Sequence, residues 1–275
     1  QVAPDWFVGL GISAPFGLKT EYDNGNWIGK YQAIKSEVTT VNYNPSLAWK
    51  VNEKVSLGLG LNYQTIDAEM TSAVPGRLAY SKLNGDDGAW GWNAGALFTL
   101  SPAMRVGVSY RSAINYTLEG TASTAVSSTP VKADLKLPGT FILSVWQQVS
   151  DRWEAMGDLS YTHWKTVDDY DRNSWRFAWG AAYKYSDAWK SKFGVAYDRS
   201  PIGDGERTAQ LPDNHRISFS IGGQYKLSQS AALDFGYAYQ WVKDAEIDQT
   251  VGANRLKGDY DASGHVLGVQ YTQSF

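Results

Sequence analysis

The stretch of sequence that decides the fold is residues 55–63, Val-Ser-Leu-Gly-Leu-Gly-Leu-Asn-Tyr. Apolar side chains occupy every second position, and serine, glycine and asparagine fill the positions between them. An alternation of period two places the two sets of side chains on opposite faces of a β-strand. The stretch therefore predicts a strand with one apolar face and one polar face made of small residues.

The same alternation recurs along the chain, at residues 6–13, 106–111, 158–162, 176–184, 193–197, 217–221, 233–239 and 267–271. No segment shows a convincing helical period. The longest charge-free stretch, residues 88–104, is interrupted by Asn93 and Pro102, whereas a membrane-spanning helix needs about 20 mostly apolar residues. Helical membrane architectures are therefore excluded, and a β-barrel is compatible with the pattern.

Short and long connections alternate between the predicted strands. Tight polar turns fall at residues 52–53, 101–102, 150–151, 186–187 and 228–229, and longer polar connections fall at about 23–33, 67–88, 120–131, 166–174, 199–213 and 244–260. Outer-membrane barrels have short periplasmic turns and long extracellular loops. We therefore predict an all-β fold, a transmembrane antiparallel β-barrel of about twelve strands, forming one domain over residues 1–275.

The composition narrows the class of protein further. The chain is 14% aromatic and 19% charged, with a formal net charge of -3 and no cysteine. Disulfide scaffolds and zinc–thiolate sites are excluded, and thinly spread lysine and arginine argue against nucleic-acid binding. A soluble sandwich or propeller is the alternative fold, but the polar strand faces are rich in glycine, alanine and serine, which suits a crowded lumen better than a solvated surface.

Aromatic residues cluster at the ends of the predicted strands, where the interfacial girdle of a membrane barrel lies. They are Trp49, Trp153, Trp164, Trp189, Tyr225, Trp241 and Tyr260. The chain ends on Phe275, in phase with the last alternating strand. A terminal aromatic in this position resembles the signal read by the barrel-assembly machinery, which we therefore expect as a partner.

No constellation for catalysis or metal binding is evident. Asp213 and His215, with Ser218 or Ser220, could be drawn as a triad, but neither serine lies in a nucleophile-elbow context. No spacing of histidine and carboxylates matches a metal site. We expect no enzyme activity, no metal and no cofactor; a barrel hydrolase, the competing hypothesis, predicts activity that is lost in His215→Ala.

Charged side chains on the predicted inward faces allow two interpretations. They are Arg111, Asp158, Arg176, Lys184, Asp198, Arg216 and Asp234. Buried charges are costly unless they are paired, so one interpretation is a ladder of ion pairs that joins neighbouring strands. In the other, some of the cations, Arg111 and Arg176 in particular, bind the anionic head group of a ligand in the lumen.

The first strand is interrupted by Ala14, Pro15, Phe16 and Gly17. Proline cannot donate to a strand ladder and glycine permits a bend, so pairing must break or bulge here. The interruption is either a kink at an edge strand or a gap in the barrel wall. Such a gap would release apolar molecules sideways into the bilayer.

Several motifs resemble, in order, those of the FadL-type long-chain fatty acid transporter family of the outer membrane, which also includes aromatic-hydrocarbon channels. They are residues 15–18 (PFGL), 90–95 (WGWNAG), 109–112 (SYRS), 135–138 (LKLP), 196–201 (AYDRSP) and 211–216 (LPDxxR). The resemblance implies a fourteen-stranded barrel with an N-terminal hatch and a kinked strand that opens the wall. On this basis we expect the sequence to lack the hatch and two preceding strands, either because it is a fragment or because the protein is reduced to a twelve-stranded barrel.

The resemblance also implies site residues and partners. Arg111 and the pair Arg172 and Arg176 resemble the family's cations near the ligand carboxylate, and Arg216 lies in a matching motif. The kink at residues 14–17 corresponds to the lateral exit. We expect a monomer in a Gram-negative outer membrane that takes up a fatty acid or detergent-like ligand and contacts outer-membrane lipid. The alternatives are a hatchless non-selective pore and an aromatic-hydrocarbon channel.

Overall fold

The computed structural model describes residues 1–23, 27–76, 79–167, 170 and 172–274, and they are almost entirely β-structure. The strands are β1 (Trp6–Ser13), β2 (Gly17–Glu21), β3 (Lys35–Lys50), β4 (Val55–Ala73), β5 (Tyr80–Ser101), β6 (Met104–Arg111), β7 (Ile114–Ser123), β8 (Ser128–Leu137), β9 (Thr140–Gln148), β10 (Trp153–Thr162), β11 (Ser174–Lys184), β12 (Trp189–Arg199), β13 (Arg216–Lys226), β14 (Ala231–Val251) and β15 (Asn254–Gln273). A short 3₁₀ helix covers Trp164–Thr166. None of the described residues belongs to a helix long and apolar enough to cross a membrane.

All strands belong to one antiparallel sheet. Its main path runs β1-β3-β4-β5-β6-β9-β10-β11-β12-β13-β14-β15, which is the twelve-strand wall predicted from the turns. Three strands lie off this path: β2 pairs with the upper part of β3, and the hairpin β7–β8 pairs with the upper part of β5. Here "upper" means the end of the sheet away from the tight turns.

The alternation in the sequence sorts side chains between two environments. On β4, Leu59 and Leu61 are 64% and 57% exposed, whereas Asn62 and Gln64 are fully buried. The apolar face of the sheet therefore points outward and the polar face points into the enclosed interior, which we call the lumen. This inverts the arrangement of a soluble protein and is the one expected where the outer surface meets lipid.

The two ends of the sheet meet at its upper rim. The Tyr22 hydroxyl donates to the carbonyl of Ala209 at 2.7 Å and lies 3.2 Å from the hydroxyl of Tyr260 on β15. The Gln32 side chain donates to the carbonyls of Gln249 and Asn254, each at 3.2 Å. Because residues 22 and 32 join β2 to β3 and the acceptors include the β14–β15 hairpin, these contacts show that the sheet curls round.

Three of the predicted polar loops are largely β-ribbon. Residues 67–88, 120–131 and 244–260 fall mostly within the extended ends of β4, β5, β7, β8, β14 and β15. These ribbons carry opposite charges across the strands: both side-chain nitrogens Nε and Nη2 of Arg255 donate to Asp248, at 2.8 and 2.7 Å. Such cross-strand pairs stabilise a ribbon without the apolar alternation from which strands were predicted.

Most of the predicted girdle residues are exposed on the outer face: Trp49, Trp153, Trp189, Tyr225 and Trp241. Two are placed differently. Trp164 lies in the 3₁₀ helix, edge-on to Phe16 at a ring distance of 6.1 Å, and Tyr260 packs at the upper rim against Tyr22. Both were assigned from proximity to strand ends, which does not distinguish the two faces. Phe275, the predicted assembly signal, lies outside the described residues.

The interruption of the first strand is a bulge of one residue. Ser13 pairs with Asn42 and Gly17 pairs with Thr39, so three residues of one strand lie opposite two of the other. The hydroxyl of Thr40 accepts the Phe16 N–H at 3.1 Å and donates to the Phe16 carbonyl at 2.5 Å. A buried side chain thus replaces the ladder hydrogen bonds that the bulge removes.

Replacing Thr40 with valine tests this bridge. Thr40→Val keeps the shape of the side chain but leaves both backbone groups of Phe16 without their partner, so we expect the free energy of unfolding to fall by about 1–3 kcal/mol. Urea unfolding in micelles, followed by tryptophan fluorescence, measures it. Thr39→Val, an exposed neighbour on β3, is the control, and equal losses in the two variants would contradict the assignment.

Candidate functional site

The lumen contains a cavity of about 790 Å³. This lies within the usual size range of small-molecule sites. One side is formed by the interruption of the first strand, with Pro15, Phe16 and Gly17, and the opposite side by strands β6 and β9 to β13. The cavity therefore joins the bulge in the wall to the polar inner faces of the central strands.

The part of the cavity near the bulge is apolar and aromatic. Trp164 contacts Phe16 edge-on and lies 4.8 Å from the ring of Tyr170. Leu18 and Val38 extend this surface along β2 and β3. The 3₁₀ helix thus supplies an aromatic side chain that covers the inner mouth of the bulge, and this end of the cavity suits a hydrocarbon ligand.

Arg111 lines the cavity without an ion pair among the described residues; Lys136 and Arg199 line it without one too, but only Arg111 of the three has a buried nitrogen that lacks a hydrogen-bond partner in the described part of the chain. It pairs in register with Asn93 on β5 and with Thr140 on β9, so the three polar side chains form a row across adjacent strands. Its Nη1 is buried and donates no hydrogen bond to any described residue. A buried guanidinium nitrogen left unpaired is costly, and the row is therefore a site at which an anion would be stabilised.

Arg176 and Arg216 also line the cavity, but each is neutralised. Nη1 of Arg176 lies 3.0 and 2.9 Å from the two carboxylate oxygens of Asp198, which is directly opposite on β12. Arg216 donates to Asp213 from Nη2 and Nε at 2.6 and 3.1 Å. Arg176 and Arg216 were both predicted as cations in the lumen, and in the structure each of them is paired with a carboxylate.

Arg172 is not part of the cavity lining. Its Nη2 approaches the 199–213 connection, where a Cβ added to Gly203 would lie 2.5 Å from it. Ala14 is likewise outside the lining and exposed at the end of β1. The structure therefore brings together Arg111, Arg176 and Arg216 with residues 15–17, without Arg172 or Ala14.

The residues drawn as a catalytic triad serve other contacts. Nδ1 of His215 accepts the backbone N–H of Ser200 at 3.1 Å, and Asp213 accepts the hydroxyl of Ser200 at 2.6 Å. No hydrogen bond joins His215 to Ser218 in the described part of the chain. Across the same residues, no group of three or more histidines and carboxylates is placed to hold a metal ion.

Sequence reasoning missed Asn93 and Thr140 as neighbours of Arg111. Asn93 was noted only as an interruption of an apolar stretch. The signal that identifies both is strand register, because residues of adjacent strands that pair in register share a face. Register depends on the lengths of the turns and loops. The hairpin β7–β8 lies between β6 and β9 in the sequence, although β6 and β9 pair directly in the sheet, so the register of Arg111 with Thr140 does not follow from a tight turn.

The fold and the cavity define a class: an antiparallel membrane barrel whose lumen holds a ligand-sized, partly apolar site. The chain belongs to the family described as outer membrane protein transport protein (OMPP1/FadL/TodX), whose model matches residues 1–275. This confirms the family that the motifs indicated and the barrel fold. It places the chain in the outer membrane of a Gram-negative bacterium.

Relatives and solved structures support this membership. The chain is similar to the long-chain fatty acid transport protein of Escherichia coli, with 23% identity over 97% of this chain and 73% of that protein. The fold is similar to a FadL homologue of Pseudomonas aeruginosa, with a TM-score of 0.91, 22% identity and coverage of 99% and 76% of the two chains. It is also similar to the toluene transporter TbuX of Ralstonia pickettii, with a TM-score of 0.70, 16% identity and coverage of 98% and 78%.

Family membership fixes the general activity. The chain is an outer-membrane transporter of hydrophobic compounds, and its family is one of transporters and channels rather than enzymes. Its partners are therefore hydrophobic ligands and the outer membrane, as for the family as a whole.

The role of Asp213 at the upper rim is testable. Asp213→Asn removes the charge that pairs with Arg216 and weakens the hydrogen bond from Ser200, so we expect the 199–213 connection to loosen, with a loss of about 1–3 kcal/mol in local stability. Limited proteolysis of the folded protein measures this as faster cleavage within that connection. Asp187→Asn, at an exposed tight turn, is the control; an unchanged cleavage rate in Asp213→Asn would refute the role.

Proposed function

We propose that the chain takes up long-chain fatty acids by binding them in the lumen and releasing them sideways through the bulge at residues 14–17. The observation that carries the proposal is the unpaired, buried Nη1 of Arg111 at one side of a cavity whose other side is aromatic. A ligand with one anionic end and a long apolar tail matches both sides of this cavity.

The energetics favour such a ligand. Each methylene group removed from water contributes about 0.8 kcal/mol, so a long acyl chain gains most of its affinity from the apolar surface around Phe16 and Trp164. The carboxylate satisfies the guanidinium of Arg111, and Asn93 and Thr140 add hydrogen-bond donors on either side. Arg176 and Arg216 already hold carboxylates, so they shape the lumen and do not compete for the head group.

The bulge supplies a route out of the wall. At Pro15 the strand has no N–H to donate, and the neighbouring backbone groups of Phe16 are held by Thr40 rather than by a strand. An apolar molecule can therefore pass from the cavity to lipid at this point without breaking a continuous ladder. Release is favourable because the acyl chain exchanges one apolar environment for another.

The proposal treats residues 1–275 as one barrel domain that acts as a monomer. A single sheet that includes every described strand supports the one-domain interpretation. Recognition of the C-terminus by the assembly machinery stays a prediction that rests on the residue type at Phe275.

A second candidate is uptake of aromatic hydrocarbons. It is favoured by the cluster of Phe16, Trp164 and Tyr170, whose rings would stack on a flat ligand, and the toluene transporter TbuX shares the fold. A neutral hydrocarbon offers nothing to Arg111, however. The two candidates therefore differ in whether affinity depends on this arginine.

Replacing Arg111 with alanine separates the two candidates. We expect Arg111→Ala to weaken palmitate binding by about 10- to 100-fold, the loss of a charged hydrogen-bonded partner, and to leave hexadecanol binding nearly unchanged. Tryptophan fluorescence titration of the purified protein in micelles measures both affinities.

Arg176→Ala is the matched control, because it removes a lumenal arginine that already has a carboxylate partner. It should lower palmitate affinity less than Arg111→Ala does. Equal losses of palmitate and hexadecanol affinity in Arg111→Ala would refute the head-group role and favour the aromatic-hydrocarbon candidate.

Deleting Pro15 tests the lateral exit. The deletion restores one-to-one pairing from Ser13 to Gly17, so a continuous strand should close the wall. We expect uptake of labelled palmitate by intact cells to fall to the level of cells without the protein, while binding to purified protein persists. Pro15→Ala keeps the extra residue and should keep uptake; uptake that survives the deletion would refute a lateral route.

A further inference from the structure

A second concavity lies on the outer face of the wall, at the upper ends of β11, β12 and β13. It has a volume of about 590 Å³ and is lined by Trp175, Phe177, Tyr197, Arg199 and His215. Phe177 and Tyr197 are exposed and pair directly with each other across the strands. Trp175 and Arg199 lie at the strand ends and line the lumenal cavity as well, whereas Phe177, Tyr197 and His215 line the outer pocket alone.

Positive charge surrounds the outer pocket. Lys243 on β14 lies beside His215, and its backbone N–H donates to the His215 carbonyl at 2.8 Å. Arg199 and Lys243 are both exposed, and neither forms an ion pair with any residue that the structure describes. Burial and the positive charges of Lys243, Arg199 and Arg172 lower the pKa of His215, so these cations share one neighbourhood.

None of the carboxylates that the structure describes forms an ion pair with Arg199 or Lys243. Asp213 faces the same region and opposes the shift at His215, but it is held by Ser200 and Arg216. Asp244 and Asp261, on β14 and β15, are exposed and form no ion pair within the described part of the chain. The outer pocket is therefore a cationic rim above an aromatic floor.

The lipid-facing surface continues directly below the aromatic floor. Trp179, Val195, Phe219 and Ile221 are exposed on the same outer face and lie closer to the tight turns. Aromatic residues of membrane proteins lie at the boundary between acyl chains and head groups. The outer pocket thus lies where the upper, long-loop end of the barrel meets the outer leaflet.

We propose that the outer pocket binds the phosphate group of an outer-leaflet lipid, with the acyl chains of that lipid lying along the exposed apolar face below. The outer pocket meets the lumenal cavity at Trp175 and Arg199, and the lipid proposal does not rest on the fatty acid proposal.

The donor set fits a phosphate. Arg199 offers a guanidinium that can bind two phosphate oxygens, and Lys243 offers a second positive charge. Since Nδ1 of His215 accepts the Ser200 N–H, the proton of the neutral ring lies on Nε2, which is a further donor. The rings of Trp175, Phe177 and Tyr197 supply an apolar surface for the first carbons of the acyl chains or for a sugar.

The position of the outer pocket selects a lipid over free phosphate. A soluble anion would use the cations alone and gain nothing from the aromatic floor or from the apolar strip that continues into the bilayer. A phosphorylated lipid contacts the cations, the aromatic floor and the apolar strip together, and its phosphate lies at the height of the strand ends. Cationic pockets at the membrane boundary of other proteins bind anionic head groups in this way.

Native mass spectrometry of the purified protein tests the proposal, with a bisphosphorylated, multiply acylated glucosamine disaccharide lipid as the probe. We expect the double variant Arg199→Gln/Lys243→Gln to bind this lipid about 10- to 30-fold more weakly than the unmodified chain, since each cation near an anionic surface adds to the affinity. Enzymatic removal of both phosphates from the lipid should produce a loss of similar size in the unmodified chain.

Lys54→Gln/Lys226→Gln is the matched control, because it removes the same charge from two tight turns at the opposite end of the barrel. It should bind the lipid as the unmodified chain does. Equal affinity of the Arg199/Lys243 variant and the control, or displacement of the lipid by millimolar inorganic phosphate alone, would overturn the proposal. The single variant Lys243→Gln, at a residue outside the lumenal cavity lining, should also weaken lipid binding and should leave palmitate binding unchanged, so failure here is distinguishable from failure of the fatty acid proposal.

Discussion

Every backbone N–H and C=O that faces lipid must be hydrogen-bonded within the protein, because the bilayer offers no water to replace a missing partner. The twelve-strand path of the sheet follows from this constraint, and so does the need for Thr40 at the bulge. Where Pro15 interrupts the ladder, a buried hydroxyl takes over both polar groups of Phe16. Both peptide groups of Phe16 therefore keep a hydrogen-bond partner at the discontinuity in the wall.

Most charged side chains inside the lumen are likewise paired within the protein. Lys192 lies 2.5 Å from Asp234, Lys190 lies 2.6 Å from Glu154, and Arg176 is held by Asp198. These pairs join neighbouring or next-neighbouring strands and remove the cost of charges in a confined space. Three cations of the cavity lining, Arg111, Lys136 and Arg199, form no ion pair with any residue that the structure describes, and of these Arg111 has a buried nitrogen without a hydrogen-bond partner. Under the proposed function, the anionic group of the ligand supplies that partner.

Much of the wall could be predicted from sequence, and less of the site. Alternation at residues 55–63 identifies a strand because burial on one face is a property of the strand itself. The upper ribbons at residues 67–88 and 244–260 escaped prediction because charged and polar residues dominate them, although Ala245, Ile247 and Leu256 are buried on one face of the last ribbon. Arg111 and Arg176 resemble each other in sequence, and only the register, which places Asp198 opposite Arg176, separates a free cation from a paired one. Trp164 was misplaced because a 3₁₀ turn reverses the side toward which it points.

The length of the last hairpin has a consequence for engineering. β14 and β15 contain 21 and 20 residues, whereas a tilted strand crosses the bilayer with about 9–11. About half of this ribbon therefore stands in water, and it ends in a turn at Gly252, whose φ of 59° suits glycine. A foreign peptide inserted at this tip would be carried clear of the lipid on a hydrogen-bonded stalk, which makes the chain a natural scaffold for displaying epitopes on a bacterial surface.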